Sequence, residues 1–216
     1  MCCRRIKNEI KKTFEMNPQN AFDTFIEQGI YKLITSNNQI LRHAELCSAS
    51  SQQCKLDNSR NEFAMTLGLY IQSLVEKYKP KHSWIVYLGI IAIFEEDDFC
   101  DKLELTKTEK SIILSAKNLL NSKLKDDYEI YKAFCEQKIE TLLILAIFGK
   151  EKQVLHYLEN LQKIKLHITG KDLLNSGFQP SKAFSEGFDF VLKEKLKNPQ
   201  LKKNEEFEII KKYLSK

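Results

Sequence analysis

The chain has 216 residues, 43% of them hydrophobic, which is enough for a real core in one large domain or two small ones. Seven Gly and four Pro serve this whole length, and a Leu, Ile, Lys and Glu-rich composition of that kind points away from sandwiches and barrels toward an all-α fold. The formal charge of +5 is unevenly spread: residues 146–216 hold 14 basic and 9 acidic residues, so the whole excess lies in the last third, as suits a polyanion such as RNA or an anionic surface.

The opening "RRIKNEIKKTFEM" places Ile6, Ile10 and Phe14 at helical spacing, and Pro18 restarts a second helix. On that second helix Ala21, Phe22, Phe25 and Ile26 share a face, Gly29 ends it or hinges it, and Ile30, Leu33 and Ile34 follow. Residues 1–41 therefore read as a helical hairpin. From 42 to 60 the composition turns to Ser, Gln and Asn without an apolar period, the pattern of an exposed polar insert or loop. His43, Cys47 and Cys54 lie in it, but a solvated insert is the better reading of their spacing. None of the six cysteines forms paired Cys-x-x-Cys motifs, so zinc is not expected.

Residues 61–145 are read as a further set of helices. A periodic stretch over 61–78 stops at Pro80, and the apolar run 84–94 is a buried core helix, well short of the roughly 20 residues that span a bilayer. Glu95, Glu96, Asp97, Asp98 and Asp101 form a charge run at a helix end, without the strand-turn context that a catalytic carboxylate pair needs. Thr106 with Glu109 makes a capping box for the next helix, and two more are expected over 128–148 and 150–166, separated by Gly149, for about eight in all. The N-terminus has no apolar stretch of a secretory signal, so a cytoplasmic protein with reduced thiols is expected, without a membrane partner.

The last segment, 146–216, holds the most constrained stretch, "HITGKDLLNSGFQPSKAF". Thr169 is placed to cap a helix by accepting from the amide of Asp172, with Asp172 returning the bond; Gly177 closes that helix in a left-handed conformation; Pro180 opens the next, with Phe184, Phe188, Val191 and Leu192 on its apolar side. Such a hairpin presents amides at helix N-termini, where phosphates bind without base readout, and Lys171 and Lys182 add charge beside them. An ordinary helix pair explains the pattern equally well.

Ile168, Thr169, Gly170, Lys171, Asp172, Leu173, Gly177, Phe178 and Pro180 match in order a pattern that resembles the C-terminal tail of bacterial tRNA nucleotidyltransferases, the CCA-adding and A-adding enzymes related to poly(A) polymerases. "LKNPQLKKNEEFEIIKKYL" is similar to the closing helix of that family, "RRIKNEI" resembles the segment that opens its neck, and "AFDTFIEQGIYKLI" resembles the helix that follows. The resemblance implies an elongated multi-helix array of neck, body and tail. It also implies that the chemistry, with its magnesium ions and nucleotide, belongs to a head, whose Gly-Gly or Gly-Ser turn and Asp-x-Asp pair have no counterpart here; the template motif of the neck would fall before Arg4. One departure is Ser185, where a Gly commonly follows the aromatic after Pro; Gly187 stands two residues on.

The expectation is a tRNA-binding module without catalysis of its own, working with a separate nucleotidyltransferase head or remaining from a truncated gene. Its RNA contacts would be Thr169, Gly170, Lys171, Gly177, Lys182, Lys193, Lys195, Lys197, Lys202 and Lys203, reading shape through phosphates, with no DNA partner. The alternative from another class is a helical protein-protein scaffold whose charge is incidental. An independent enzyme is the weakest reading, because no nucleophile-base pair or ligand set has motif-grade spacing, and His82 and His156 read as ordinary interface or core residues.

Overall fold

The computed structural model of the chain describes residues 3–16, 18–34, 59–96, 98–179 and 181–214. Among them there is no strand, and the fold is all-α. The chain divides into two compact units, each made of two stretches: Met1–Ser122 with Gln137–Val154, and Lys123–Glu136 with Leu155–Lys216.

The first unit opens with α1 (Cys3–Met16) and α2 (Pro18–Glu27), the helices that the Ile6, Ile10, Phe14 spacing and Pro18 predict. Gly29, at φ +65°, closes α2 and turns the chain into a 3-10 helix, Ile30–Leu33. The polar insert read over 42–60 lies outside the described residues except for Ser59 and Arg60, which are the first two residues of α3 (Ser59–Tyr78). After Pro80 comes α4 (Ser83–Ala92), the apolar run of the sequence, buried all round from Trp84 to Ala92. Phe14 and Phe22 pack their rings on Tyr87 at 5.5 and 5.7 Å, which ties α1 and α2 to this central helix.

The short α5 (Phe99–Lys102) follows the acidic run, whose Asp98 and Asp101 pair with Lys102 and Lys110 at 2.7 and 2.8 Å. These two carboxylates are partnered by lysines; Asp97 of the run lies outside the described residues. α6 (Lys107–Leu120) starts in the expected capping box: Thr106 Oγ1 accepts from the Glu109 amide, and Glu109 Oε2 accepts from the Thr106 amide at 2.8 Å. Lys7 of α1 also donates to Glu109, at 2.7 Å. Burial alone would raise the Glu109 carboxyl, but the bonds from Lys7 and Thr106 outweigh it and hold the group below its ordinary value.

The helix expected over 128–148 is two helices, α7 (Asp127–Phe134) and α8 (Ile139–Leu145). The reason is tertiary: α7 packs in the second unit and α8 in the first, so the chain must break between them. Gly149, at φ +89°, then separates α8 from α9 (Glu151–Glu159) within a π-helical turn, Ala146–Lys150. Lys150 is buried there and donates to the Ser122 carbonyl at 2.6 Å, and burial lowers its ammonium pKa. A 3-10 turn, Leu161–Lys163, ends the helix expected over 150–166 early, and α10 (Gly170–Asn175), α11 (Lys182–Lys197) and α12 (Lys203–Leu214) complete the second unit. Further helices therefore appear where the sequence suggests about eight. No helix among the described residues is long and apolar enough to cross a membrane.

Candidate nucleic-acid interface

The stretch from His167 to Phe184 is built around a small core of Ile168, Leu173, Val191 and Ile210, with Phe178, Phe184, Phe188 and Phe207 packed against it. That packing explains the alternation of apolar and polar residues in the motif. α10 ends as the sequence predicts: Gly177 takes φ +87°, its amide donates to the Leu174 carbonyl at 3.0 Å, and the Phe178 amide reaches back to Leu173 at 3.2 Å. These two bonds define a Schellman motif, which a glycine makes without the Cβ penalty of a left-handed residue. Pro180 lies outside the described residues.

α10 starts in the expected capping box between Thr169 and Asp172. Asp172 Oδ2 accepts from the Thr169 amide at 2.7 Å, the Thr169 hydroxyl also donates to that oxygen at 2.8 Å, and the Asp172 amide reaches the Thr169 carbonyl at 3.0 Å as well. The hydroxyl is a donor here because the carboxylate is the stronger acceptor. Lys203, the first residue of α12, completes the arrangement by donating to Asp172 Oδ1 at 2.7 Å. The Lys203 ammonium, then the Thr169 hydroxyl and amide, pull the Asp172 carboxyl down from 3.8 to about 2. An anion thus already stands at this helix N-terminus, supplied by the protein itself.

Lys195 is the sharpest departure from the expected contacts. Only 2% exposed, it donates to Glu206 and, at 3.0 Å, to the Leu201 carbonyl, and its Nζ lies 2.8 Å from His167 Nδ1. Glu206 is fully buried and also accepts from the amides of His167 and Ile168, at 2.7 and 3.1 Å. Burial by itself would raise the Glu206 carboxyl, but the Lys195 ammonium and the two amides prevail and keep it below its ordinary range. Lys195 is a structural cation that joins α11, α12 and the segment leading into α10, and it does not reach the surface on which a ligand would lie.

The remaining predicted residues are exposed. Thr169 and Gly170 start α10, and Lys171 follows them; Lys182 starts α11; Lys202 precedes α12. Lys197 is paired with Glu194 at 2.8 Å, and Lys193 lies over the Tyr128 ring, 5.6 Å from its centroid. Gly187, two residues beyond Ser185, faces inward: a Cβ there would stand 3.0 Å from Ile210 Cγ1 and 3.5 Å from Tyr213 Cδ1, so the missing side chain serves the contact between α11 and α12.

Among the helices that lie wholly in the second unit, the open start is that of α11. Ser181 is its N-cap but makes no side-chain cap bond, and its first turn holds no acidic residue. α6, α7 and α10 all place a carboxylate there: Glu109, Glu129 and Asp172. The amides of a sixteen-residue helix, with Lys182 as its first residue, form a positive end that its own sequence leaves unneutralised.

His156, read as a core or interface residue, joins α9 to α7 by a 3.0 Å contact with Asp127. His82 precedes α4 and gives its amide to Glu140 at 2.8 Å. Among the described residues no group of His, Cys, Asp and Glu is arranged to hold a metal ion.

No family model and no curated protein matches the sequence. A solved structure, that of a CCA-adding enzyme in an apo form, is similar to the chain over its whole length, with a TM-score of 0.63 and 16% sequence identity. The chain covers 50% of that protein, so what the likeness establishes is that this all-α fold corresponds to half of a CCA-adding enzyme's fold.

Proposed function

We propose that the chain is a tRNA-binding helical module, equivalent to the non-catalytic neck, body and tail of a bacterial tRNA nucleotidyltransferase, and that nucleotide addition depends on a head domain. The observation that carries the reading is the full-length fold likeness to half of a CCA-adding enzyme. The surplus of lysines after residue 146 supports it, as does the unneutralised N-terminus of α11. Phosphates are the natural ligands of such a surface, and contacts to phosphates position an RNA by its shape.

The structure sorts the lysines by what each has left to give. Among the described residues Lys171, Lys182, Lys193 and Lys202 have no carboxylate on their ammonium groups; Lys193 lies over the Tyr128 ring, and the other three are the phosphate contacts tested first in this reading, whereas Lys197 and Lys203 are already paired. Replacing Lys171, Lys182 and Lys202 with Ala should weaken tRNA binding and lower the slope of log K against log salt by about two to three, since each phosphate that a lysine neutralises adds close to one. Lys197→Ala should change the slope by well under one. The chain incubated with tRNA, magnesium, CTP and ATP should incorporate no CMP or AMP. Equal salt slopes in wild type and triple variant would remove these lysines from the interface. Absence of any salt-sensitive tRNA affinity in the wild type would favour a protein-binding scaffold, and robust incorporation by host-free protein would overturn the non-catalytic reading.

A further inference from the structure

The aromatic residues of the second unit are not all used in its core. Phe178, Phe184, Phe188 and Phe207 pack on the central cluster, but Phe190 is 41% exposed. Its ring stacks on Tyr213 of α12 with 5.3 Å between centroids and 25° between planes. The stack is held in place from below. Gly187, one turn earlier on α11, lets α12 approach closely enough for Tyr213 to lie 3.5 Å from the position of a Cβ, and the Tyr213 hydroxyl reaches Glu186 at 3.4 Å.

The charges along this face of α11 are graded. Asp189 is neutralised by Lys132 at 2.9 Å, and Glu194 by Lys197. Lys193, one turn beyond Phe190, has no carboxylate partner among the described residues and rests over Tyr128. Glu186, one turn before Phe190, leaves the opposite end negative. A flat apolar surface therefore lies next to one unbalanced cation, with an anion on the far side.

We infer that the Phe190–Tyr213 stack receives an unstacked nucleobase of a bound RNA, with the adjoining phosphate directed toward Lys193 and away from Glu186. The inference rests on the RNA-binding reading and deepens it, because it requires a loop or end whose base can leave its own stack. Duplex shape alone does not satisfy it. Base-aromatic stacking tolerates any base, so this contact adds affinity without sequence choice.

The test uses the full chain and two RNAs: a hairpin with 2-aminopurine in its loop, and a blunt duplex of the same stem with the fluorophore paired inside. The hairpin should bind more tightly than the duplex, and its fluorescence should be quenched on binding. Phe190→Ser should lose the quenching and bind the hairpin roughly tenfold more weakly, with an unchanged salt slope. Phe190→Leu, which keeps the apolar area without the ring, should also lose the quenching. Lys193→Ala should keep the quenching and lower the slope by about one. Wild-type quenching and affinity in the Phe190 variants, or equal affinity for hairpin and duplex, would overturn this inference while leaving phosphate binding intact. Dissolution of a wild-type dimer by Phe190→Ser would also overturn it, identifying the stack as a self-contact. Failure of the wild type to bind either RNA would remove the RNA-binding reading and this inference with it.

Discussion

Glu206→Ala should lower the stability of the second unit by about 3–5 kcal/mol, the cost typical of leaving one partner of a buried ion pair uncompensated. The amides of His167 and Ile168 lose their acceptor, and the Lys195 ammonium loses its counterion and keeps the Leu201 carbonyl. Because the chain has two units, the measurement should be local, by hydrogen exchange at the amides of α11 and α12. Lys195→Met combined with Glu206→Leu should recover much of the loss, since apolar replacements of similar volume remove the desolvation penalty together with the attraction. A loss below about 1 kcal/mol in the single variant would mean that water replaces the missing carboxylate. The pH dependence follows from the sign of the shifts. A carboxyl whose folded pKa is lowered contributes stability above its ordinary range, and that contribution disappears as pH falls through the folded value. For Glu206 the loss begins below the usual glutamate range, and for Asp172 it runs from 3.8 down to about 2. The second unit should thus loosen in acid below about pH 4, and Glu206→Gln should flatten that limb.

Gly89→Val should be the most damaging small change in the first unit. A Cβ at Gly89 would stand 2.9 Å from Ile144 Cγ1 and closer still to its Cδ1, so α4 and α8 touch where one of them has no side chain. Overpacking of this kind costs about 1–3 kcal/mol, and the β-branched replacement adds little helix propensity in return. Ile144→Ala in the same chain should relieve the clash, so that the double variant is more stable than the sum of the single changes predicts. Strict additivity in urea titrations of the four proteins would show that the two helices separate instead of sharing the space.

These two sites also show what the sequence discloses. Helix boundaries set by local chemistry are legible in it: Pro18, the Thr106–Glu109 box, and the Gly149 and Gly177 turns depend on neighbours within a few residues. The split of 128–148 is not, because nothing in "CEQK" signals that the helices on either side serve different units. The Thr169–Asp172 box is legible in the same way as the Thr106–Glu109 one, whereas the bond that Lys203 gives Asp172 from 31 residues away is not. Counting charge along the chain puts Lys195 on the surface, whereas its helical face puts it inside. It follows Val191 by four residues, on the buried stripe, just as Glu206 precedes buried Ile210 by four. Opposite charges on the apolar faces of adjacent helices are the available signal for that pair.

The dependence of His167 and Ile168 on Glu206 has a consequence for the order in which a nascent chain becomes sound. The segment leading into α10 leaves the ribosome well before α12, yet its two amides are satisfied by a carboxylate 38 and 39 residues downstream. A chain stopped by nonsense codon or protease before residue 203 would lose more than a helix: Lys195 would remain without its counterion, Ile210 would be missing from the core it shares with Leu173, and the turn at Thr169 would lose Lys203. α12 therefore acts as a quality checkpoint for the second unit, and products shortened before it should be degraded by cellular proteases through both of that unit's stretches, Lys123–Glu136 and the residues from Leu155 onward, not merely trimmed.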